Sequence, residues 1–257
     1  MSDLVLYEHR GPVAWITLNR PENHNALGPS LTQALEGALK KAMADERARM
    51  IVLAAAGRTF CSGLDLKGGG EGFVTTPEGG GLPPFQSLVD IIWRSTKPIV
   101  GRIQGSAFGG GFALVACCDV AVTVPSARFA VTELRFGVPP TTIPLILHHK
   151  GLLGPMRHLL LSGKALGAEE AQEMNLVQGV VPPHELDDVV EGWCGEFLQT
   201  APAAFVEART IQRRIREMDF SDGLSYVTGA LQQLMNSDEG KEGRLAFSEK
   251  RKPRWAT

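Results

Sequence analysis

The spacing of apolar residues changes several times along this chain, and each change predicts an element. Leu4 to Arg10 and Val13 to Leu18 have strand length and strand composition, and the Gly11-Pro12 dipeptide between them predicts a turn. After Pro29 and Ser30 the spacing turns helical, with Leu31, Leu35, Ala38, Leu39, Ala42 and Met43 on one face. Met50 to Ala54 is a continuous apolar run suited to a strand covered on both faces. A loop from Ala55 to Leu66 and a glycine-rich stretch from Gly68 to Pro84 follow. Phe85 to Ser95 reads as a helix that leads into a buried strand, Ile99 to Ile103. Gly109-Gly110-Gly111 then opens the apolar run Phe112 to Cys118, and Asp119 to Val124 is again strand-like.

This alternation predicts an α/β fold with right-handed crossovers and mostly parallel strands. The strand–loop–helix unit recurs at intervals of roughly 50 residues, a loose spiral in place of a strict repeat. From about Pro140 the pattern is mainly helical. Thr141–Lys150, Pro155–Ser162 and Ala168–Met174 are short helices, and Val177–Val181 is a brief strand. Longer helices are expected at Pro183–Thr200, Pro202–Met218 and Leu224–Asn236, with a last one ending near Lys250. The expected organisation is a core over residues 1–190 with a helical C-terminal region over 191–257.

Composition narrows the function classes. The chain has 257 residues, 44% of them hydrophobic and 21% charged, enough apolar content to fill a core. A net charge of −2 gives no case for a nucleic-acid partner. No apolar stretch reaches the ~20 residues of a membrane span, and no signal-peptide pattern opens the chain, so a cytoplasmic location is expected. Cys61, Cys117, Cys118 and Cys194 have no metal-ligand spacing, and free buried thiols are the expectation. Among the other polar residues, His24 reads as a solvated loop histidine, and His148, His149 and His158 as parts of helices. Thr141 and Thr142 read as helix N-caps in preference to catalysts, with hydroxyls able to hold a water near a candidate acid, Glu133.

Three glycines in a helix interior would each cost roughly 1 kcal/mol relative to alanine, so Gly109-Gly110-Gly111 belongs at a helix entrance. There the first N–H groups have no partner within the helix and suit an anionic oxygen. A tight turn that needs glycine only for packing is the competing reading. Phe60-Cys61-Ser62-Gly63-Leu64-Asp65-Leu66, directly after a buried strand, offers a second N–H. Two such donors converging from separate strand ends would make an oxyanion hole. The phosphate-loop pattern G-x-x-x-x-G-K-[ST] and the dinucleotide pattern G-x-G-x-x-G after a first strand are both missing.

These two segments do not stand alone. Asn19-Arg20-Pro21-Glu22-Asn23-His24-Asn25-Ala26-Leu27 precedes them, and Gly105-Ser106-Ala107-Phe108 leads into the glycines. Cys118-Asp119, Phe129-Ala130-Val131-Thr132-Glu133 and Phe247-Ser248-Glu249-Lys250-Arg251 follow in order. Together they resemble the crotonase (enoyl-CoA hydratase/isomerase) superfamily over essentially the whole chain. The pattern is most similar to single-glutamate members of the methylglutaconyl-CoA hydratase type.

The resemblance implies a spiral of ββα units with a helical C-terminal trimerisation region, and assembly as a homotrimer or a dimer of trimers. It implies an acyl-coenzyme A substrate and no separate cofactor or metal. By motif, the oxyanion N–H groups belong to Leu64 and Gly110, and the acid/base residue is Glu133. Arg20, Ala26, Leu27, Cys61, Ser62, Gly63 and Asp65 fall on the coenzyme A side, and Lys250 at the C-terminal basic position that reaches the coenzyme's phosphates. Arg209 matches another position that is usually basic. The departure is Ala113, where two-glutamate hydratases carry their second carboxylate. That leaves three activities open: hydration of an enoyl-CoA, a shift of its double bond, or acyl-CoA binding without catalysis.

Overall fold

The computed structural model describes residues 4–65, 75–77 and 79–256. Residues 68–74 and 78 of the glycine-rich stretch Gly68 to Pro84 therefore lie outside the described residues. The described chain divides into two compact units, Met1–Trp193 and Cys194–Thr257.

The first unit is built on a six-stranded sheet of β1 (Val5–Arg10), β2 (Val13–Leu18), β3 (Met50–Ala55), β5 (Ile99–Ile103), β7 (Val120–Thr123) and β9 (Gly179–Val180), in the order β1-β2-β3-β5-β7-β9. β1 and β2 form an antiparallel hairpin, and every other neighbour in this sheet is parallel. Burial follows position. All six residues of β3 are buried, as a continuous apolar run demands, whereas edge strand β1 alternates between half-buried and exposed.

A second sheet of three short parallel strands, β4 (Thr59–Cys61), β6 (Ser106–Phe108) and β8 (Phe129–Ala130), stands in the order β4-β6-β8. Each follows a strand of the large sheet and precedes a helix. These helices are α2 (Pro84–Trp93), α3 (Gly110–Cys117) and α4 (Thr142–His149), numbered after α1 (Pro29–Ala44). This is the expected ββα spiral. Its units begin at Met50, Ile99 and Val120, so the spacing is uneven and not a steady fifty residues. The loop expected from Ala55 to Leu66 in fact contains β4, and β6 and β8 were not legible either. Phe60, Phe112 and Phe129, one from each of β4, α3 and β8, are fully buried. Truncating such a core phenylalanine to alanine typically costs about 3–5 kcal/mol.

Two polar groups fix the frame around these strands. Lys97 Nζ donates to the carbonyls of Ala42 and Asp45, both at 2.7 Å, placing a cation at the negative end of α1. Asn25 is fully buried and fully used: its Nδ2 donates to Ala56 O and Thr59 O, both at 2.9 Å, and its Oδ1 accepts from Arg20 N at 2.8 Å. The Asn19–Leu27 loop is thereby tied to the β3–β4 connection. His24, expected to be solvated, instead pairs its Nδ1 with Thr59 Oγ1 at 3.1 Å.

The unit continues with α5 (Leu153–Ser162) and α6 (Ala168–Glu173), and α7 (Leu186–Leu198) runs across the division. The C-terminal unit contains α8 (Pro202–Arg214), α9 (Phe220–Asn236) and α10 (Asp238–Ser248). α9 begins four residues before the expected Leu224 because Asp219 caps it, accepting from Asp222 N at 2.9 Å. Within α10, Glu242 is nearly buried and clamps the tail that follows the helix. It accepts from Arg251 at 2.7 and 3.0 Å and from Arg254 N at 3.0 Å. Among the described residues no helix is long and apolar enough to cross a membrane.

Candidate active site

The ends of β4, β6 and β8 meet at one cavity of about 580 Å³, within the range of small-ligand sites. Ser62, Gly63 and Leu64 line one side, Phe108, Gly109 and Gly110 the next, and Thr132 and Glu133 a third. All the lining residues belong to the first unit.

The Leu64 N–H owes its direction to a single bridge. Leu27 pairs with Leu64 in parallel, with Leu27 N donating to Gly63 O at 2.7 Å and Asp65 N to Leu27 O at 3.0 Å. In a parallel ladder the residue between two bonded neighbours turns its own N–H the opposite way, so that of Leu64 points away from Leu27. Gly63 makes this possible. Its φ is 91°, and a Cβ there would lie 2.7 Å from Phe108 O and 3.4 Å from Gly110 N. Only glycine lets the two loops approach this closely.

Gly110 is the first residue of α3, so its N–H has no acceptor within the helix, and no side chain caps that end. Gly109 before it has φ 50°, and a Cβ on Gly109 would sit 3.2 Å from Glu133 Oε1. A Cβ on Gly111 would come within 2.3 Å of Cys61 O. The packing reading accounts for Gly109 and Gly111, which close approach requires, while Gly110 lines the cavity at the uncapped start of α3.

Glu133 starts a single 3-10 turn, Glu133–Phe136, closed by Gly137 at φ 77°. Its Oε2 is buried with no hydrogen-bond partner among the described residues. Burial pushes its carboxyl above the ordinary glutamate range, and N–H bonding from the backbone of Glu133 and Thr132 opposes that shift. Arg135 also lines the cavity and has no carboxylate partner among the described residues. Ala113, one turn into α3, is fully buried and is not part of the cavity wall.

Leu64, Gly110 and Glu133 are thus brought together, with Ser62 and Gly63 beside them. Asp65 is linked to Arg20, whose guanidinium lies 3.7 Å from Asp65 Oδ2 and also donates to the Asn23 side-chain oxygen at 2.8 and 3.1 Å. Leu27 and Cys61, placed by motif on the coenzyme A side, are held inside the fold. Both are fully buried, Leu27 as the bridge partner of Leu64 and Cys61 with its carbonyl against Gly111. Ala26 is nearly buried as well. Lys250 and Arg209 belong to the C-terminal unit, where Lys250 adopts a left-handed φ of 54° just beyond α10.

Two further residues matter and carried no signal of their own. Asn25 ties down the loop that holds Leu27. Gln86, on α2, lines the cavity and donates to Thr142 Oγ1 at 3.4 Å. Thr141 occupies the N-cap of α4 and Thr142 its first turn, but no side chain bonds to that helix end. The capping role expected of these threonines is not what their hydroxyls do. Among the described residues there is no cluster of side chains suited to a metal ion.

Chemically, the site offers two main-chain N–H donors to an oxygen gaining negative charge and one half-buried carboxyl to move a proton. The model of the enoyl-CoA hydratase/isomerase family matches residues 8–257, and the chain belongs to that family. It is 32% identical over 264 residues to a carnitinyl-CoA dehydratase of Salmonella arizonae, covering 99% of each chain. Among solved structures it is similar to an enoyl-CoA hydratase from Mycobacterium smegmatis, with TM-score 0.86, 30% identity and 99% of each chain covered. An enoyl-CoA hydratase/isomerase from Marinobacter aquaeolei superimposes with TM-score 0.87 at 28% identity, again over 99% of each chain.

Proposed function

We propose that this protein adds water across the double bond of an α,β-unsaturated acyl-coenzyme A thioester. The observation that carries this reading is that Leu64, Gly110 and Glu133, from three separate strand ends, line one cavity. The two N–H groups hold the thioester oxygen and draw charge onto it, which makes C3 electrophilic. Glu133 takes a proton from water as the oxygen attacks C3, then delivers that proton to C2. Water is consumed, the C2–C3 double bond becomes a single bond, and Glu133 ends as the carboxylate it began. The same steps in reverse dehydrate a 3-hydroxyacyl ester, the direction named for the Salmonella relative.

Arg20, Ser62, Gly63 and Asp65 form the coenzyme A side in this reading, and Lys250 is the basic residue for its phosphates. Coenzyme A arrives as part of the substrate, and the reaction calls on no other cofactor. Four free, buried cysteines support a reducing, cytoplasmic setting.

A panel of enoyl-CoA esters tests the reading, assayed for water addition and for double-bond shift. Water addition is expected to be the faster, and best with an acyl chain bearing a branch or a second carboxylate, for which Arg135 is a cation on the cavity wall with no carboxylate partner among the described residues. If 3-enoyl esters become 2-enoyl esters faster than any ester gains water, the protein is an isomerase. If neither occurs, it binds acyl-CoA without catalysis; the half-buried Glu133 carboxyl, whose Oε2 has no hydrogen-bond partner among the described residues, argues against that. Because Glu133 must be ionised to act as base, kcat/KM should fall as pH drops. Its midpoint should lie above the ordinary glutamate value of 4.5, since burial raises this group. A limb at or below 4.5 in the free enzyme is incompatible with Glu133 as the base.

The assembly is a homotrimer or a dimer of trimers. Phe220, Leu224, Leu231 and Met235 recur on one face of α9 and are 87%, 56%, 61% and 43% exposed in the single chain, an apolar stripe suited to burial against other copies. Sedimentation at micromolar concentration is expected to give a trimer or hexamer, and a stable monomer would contradict this assembly.

A further inference from the structure

Glu133 is one carboxyl where hydration requires two operations, holding the water and moving its proton, and Ala113 supplies only a methyl group. A second polar group on the cavity wall has no role in the chemistry so far. Gln86 lies in the first turn of α2 beside Phe85, whose ring would come within 3.3 Å of a Cβ on Gly110. The start of α2 is therefore packed against the oxyanion corner. Gln86 Nε2 donates to Thr142 Oγ1 at 3.4 Å, which leaves Oε1 as the free acceptor. That oxygen is buried and has no partner among the described residues, and Gln86, Thr142 and Glu133 all line the same cavity. A buried acceptor without a donor is costly and is rare in folded proteins. Two such oxygens, Gln86 Oε1 and Glu133 Oε2, belong to residues of one wall set.

We infer that Gln86, held by Thr142, positions the attacking water. Its Oε1 accepts one O–H of the water while Glu133 accepts the other and removes that proton. Gln86 exchanges no proton and forms no bond to the substrate, so it is a positioning residue and Glu133 remains the only acid/base group. The inference rests on the hydratase reading above.

The test compares Gln86→Leu, Gln86→Glu and Thr142→Val in the full-length protein, with circular dichroism as a check on folding. Two rates are measured for each: water addition to an enoyl-CoA ester, and deuterium exchange at C2 of the matching saturated ester, which needs Glu133 and the N–H pair but no attacking water. In Gln86→Leu the ratio of hydration to exchange should fall about ten- to a hundredfold, with the loss in kcat and KM shifting much less. Gln86→Glu restores an acceptor oxygen and should recover most of the ratio, and Thr142→Val should fall between. A ratio unchanged in Gln86→Leu, or equal losses in the Leu and Glu variants, overturns the role of Gln86 and leaves the hydratase reading standing. Failure of the unaltered protein to hydrate any ester removes both.

Discussion

Glu133→Gln is expected to reduce hydration of the best enoyl-CoA ester by about 10²–10⁴-fold, the usual contribution of one acid/base group. Glutamine keeps the shape of the side chain and its place against Gly109 but cannot accept the proton from water. Retention of more than about a tenth of the rate would remove Glu133 from the mechanism. The same substitution should leave thermal stability unchanged or slightly raised. Burial lifts the carboxyl above its ordinary range, so above pH 4.5 the folded protein bears a cost for holding it ionised. That cost grows as pH rises from 4.5 through the raised folded value and is absent below both. Glutamine has no charge to desolvate and avoids it at every pH. A variant both inactive and markedly less stable would point to a structural role instead.

Gly110→Pro is the second large effect. Proline has no N–H, and the loss of one oxyanion donor typically costs about 10²–10³ in kcat. Position 110 opens α3, where proline's backbone angle is well tolerated, so the helix itself should survive. Gly110→Ala is the necessary companion. It keeps the N–H but adds a methyl 3.0 Å from Leu27 Cδ1 and 3.3 Å from the Phe85 ring, so steric cost alone can be read from it. Turnover should be lost far more in the proline variant, with acyl-CoA binding measured alongside. Equal losses in the two would mean that crowding, and not the missing donor, is responsible.

How much was legible depended on the length of each signal. β3 and β5 announced themselves because a strand covered on both faces must be apolar throughout. α1 did so through a stripe repeated over sixteen residues. β4, β6 and β8 have three, three and two residues, too short for any alternation to register, and Ser106 and Thr59 within them are not marks of a buried strand. Leu64, Gly110 and Glu133 were singled out through motif resemblance; the structure sets all three on one cavity wall and adds why their neighbours are glycine. Gln86 left no trace in the sequence. Its partner Thr142 is 56 positions away, and a glutamine in a helix reads as surface until the fold closes over it. Leu27 and Cys61 carry motif positions, but their burial, Leu27 as the bridge partner of Leu64 and Cys61 with its carbonyl against Gly111, was not legible in the sequence.

Cys61 has a consequence for selectivity between reactions. A thiol stands three residues before the Leu64 donor, in a protein whose family handles thioesters, and a thiolate there would be a competing nucleophile able to capture the acyl group. Cys61 is fully buried, and desolvation pushes its thiol up to about 12. At pH 7 roughly 10⁻⁵ of it is ionised, and the thiolate is the reactive form. Acyl capture is thereby suppressed by proton affinity as well as by access. The same property should make the protein indifferent to alkylating and oxidising reagents that disable enzymes with an exposed active-site thiol.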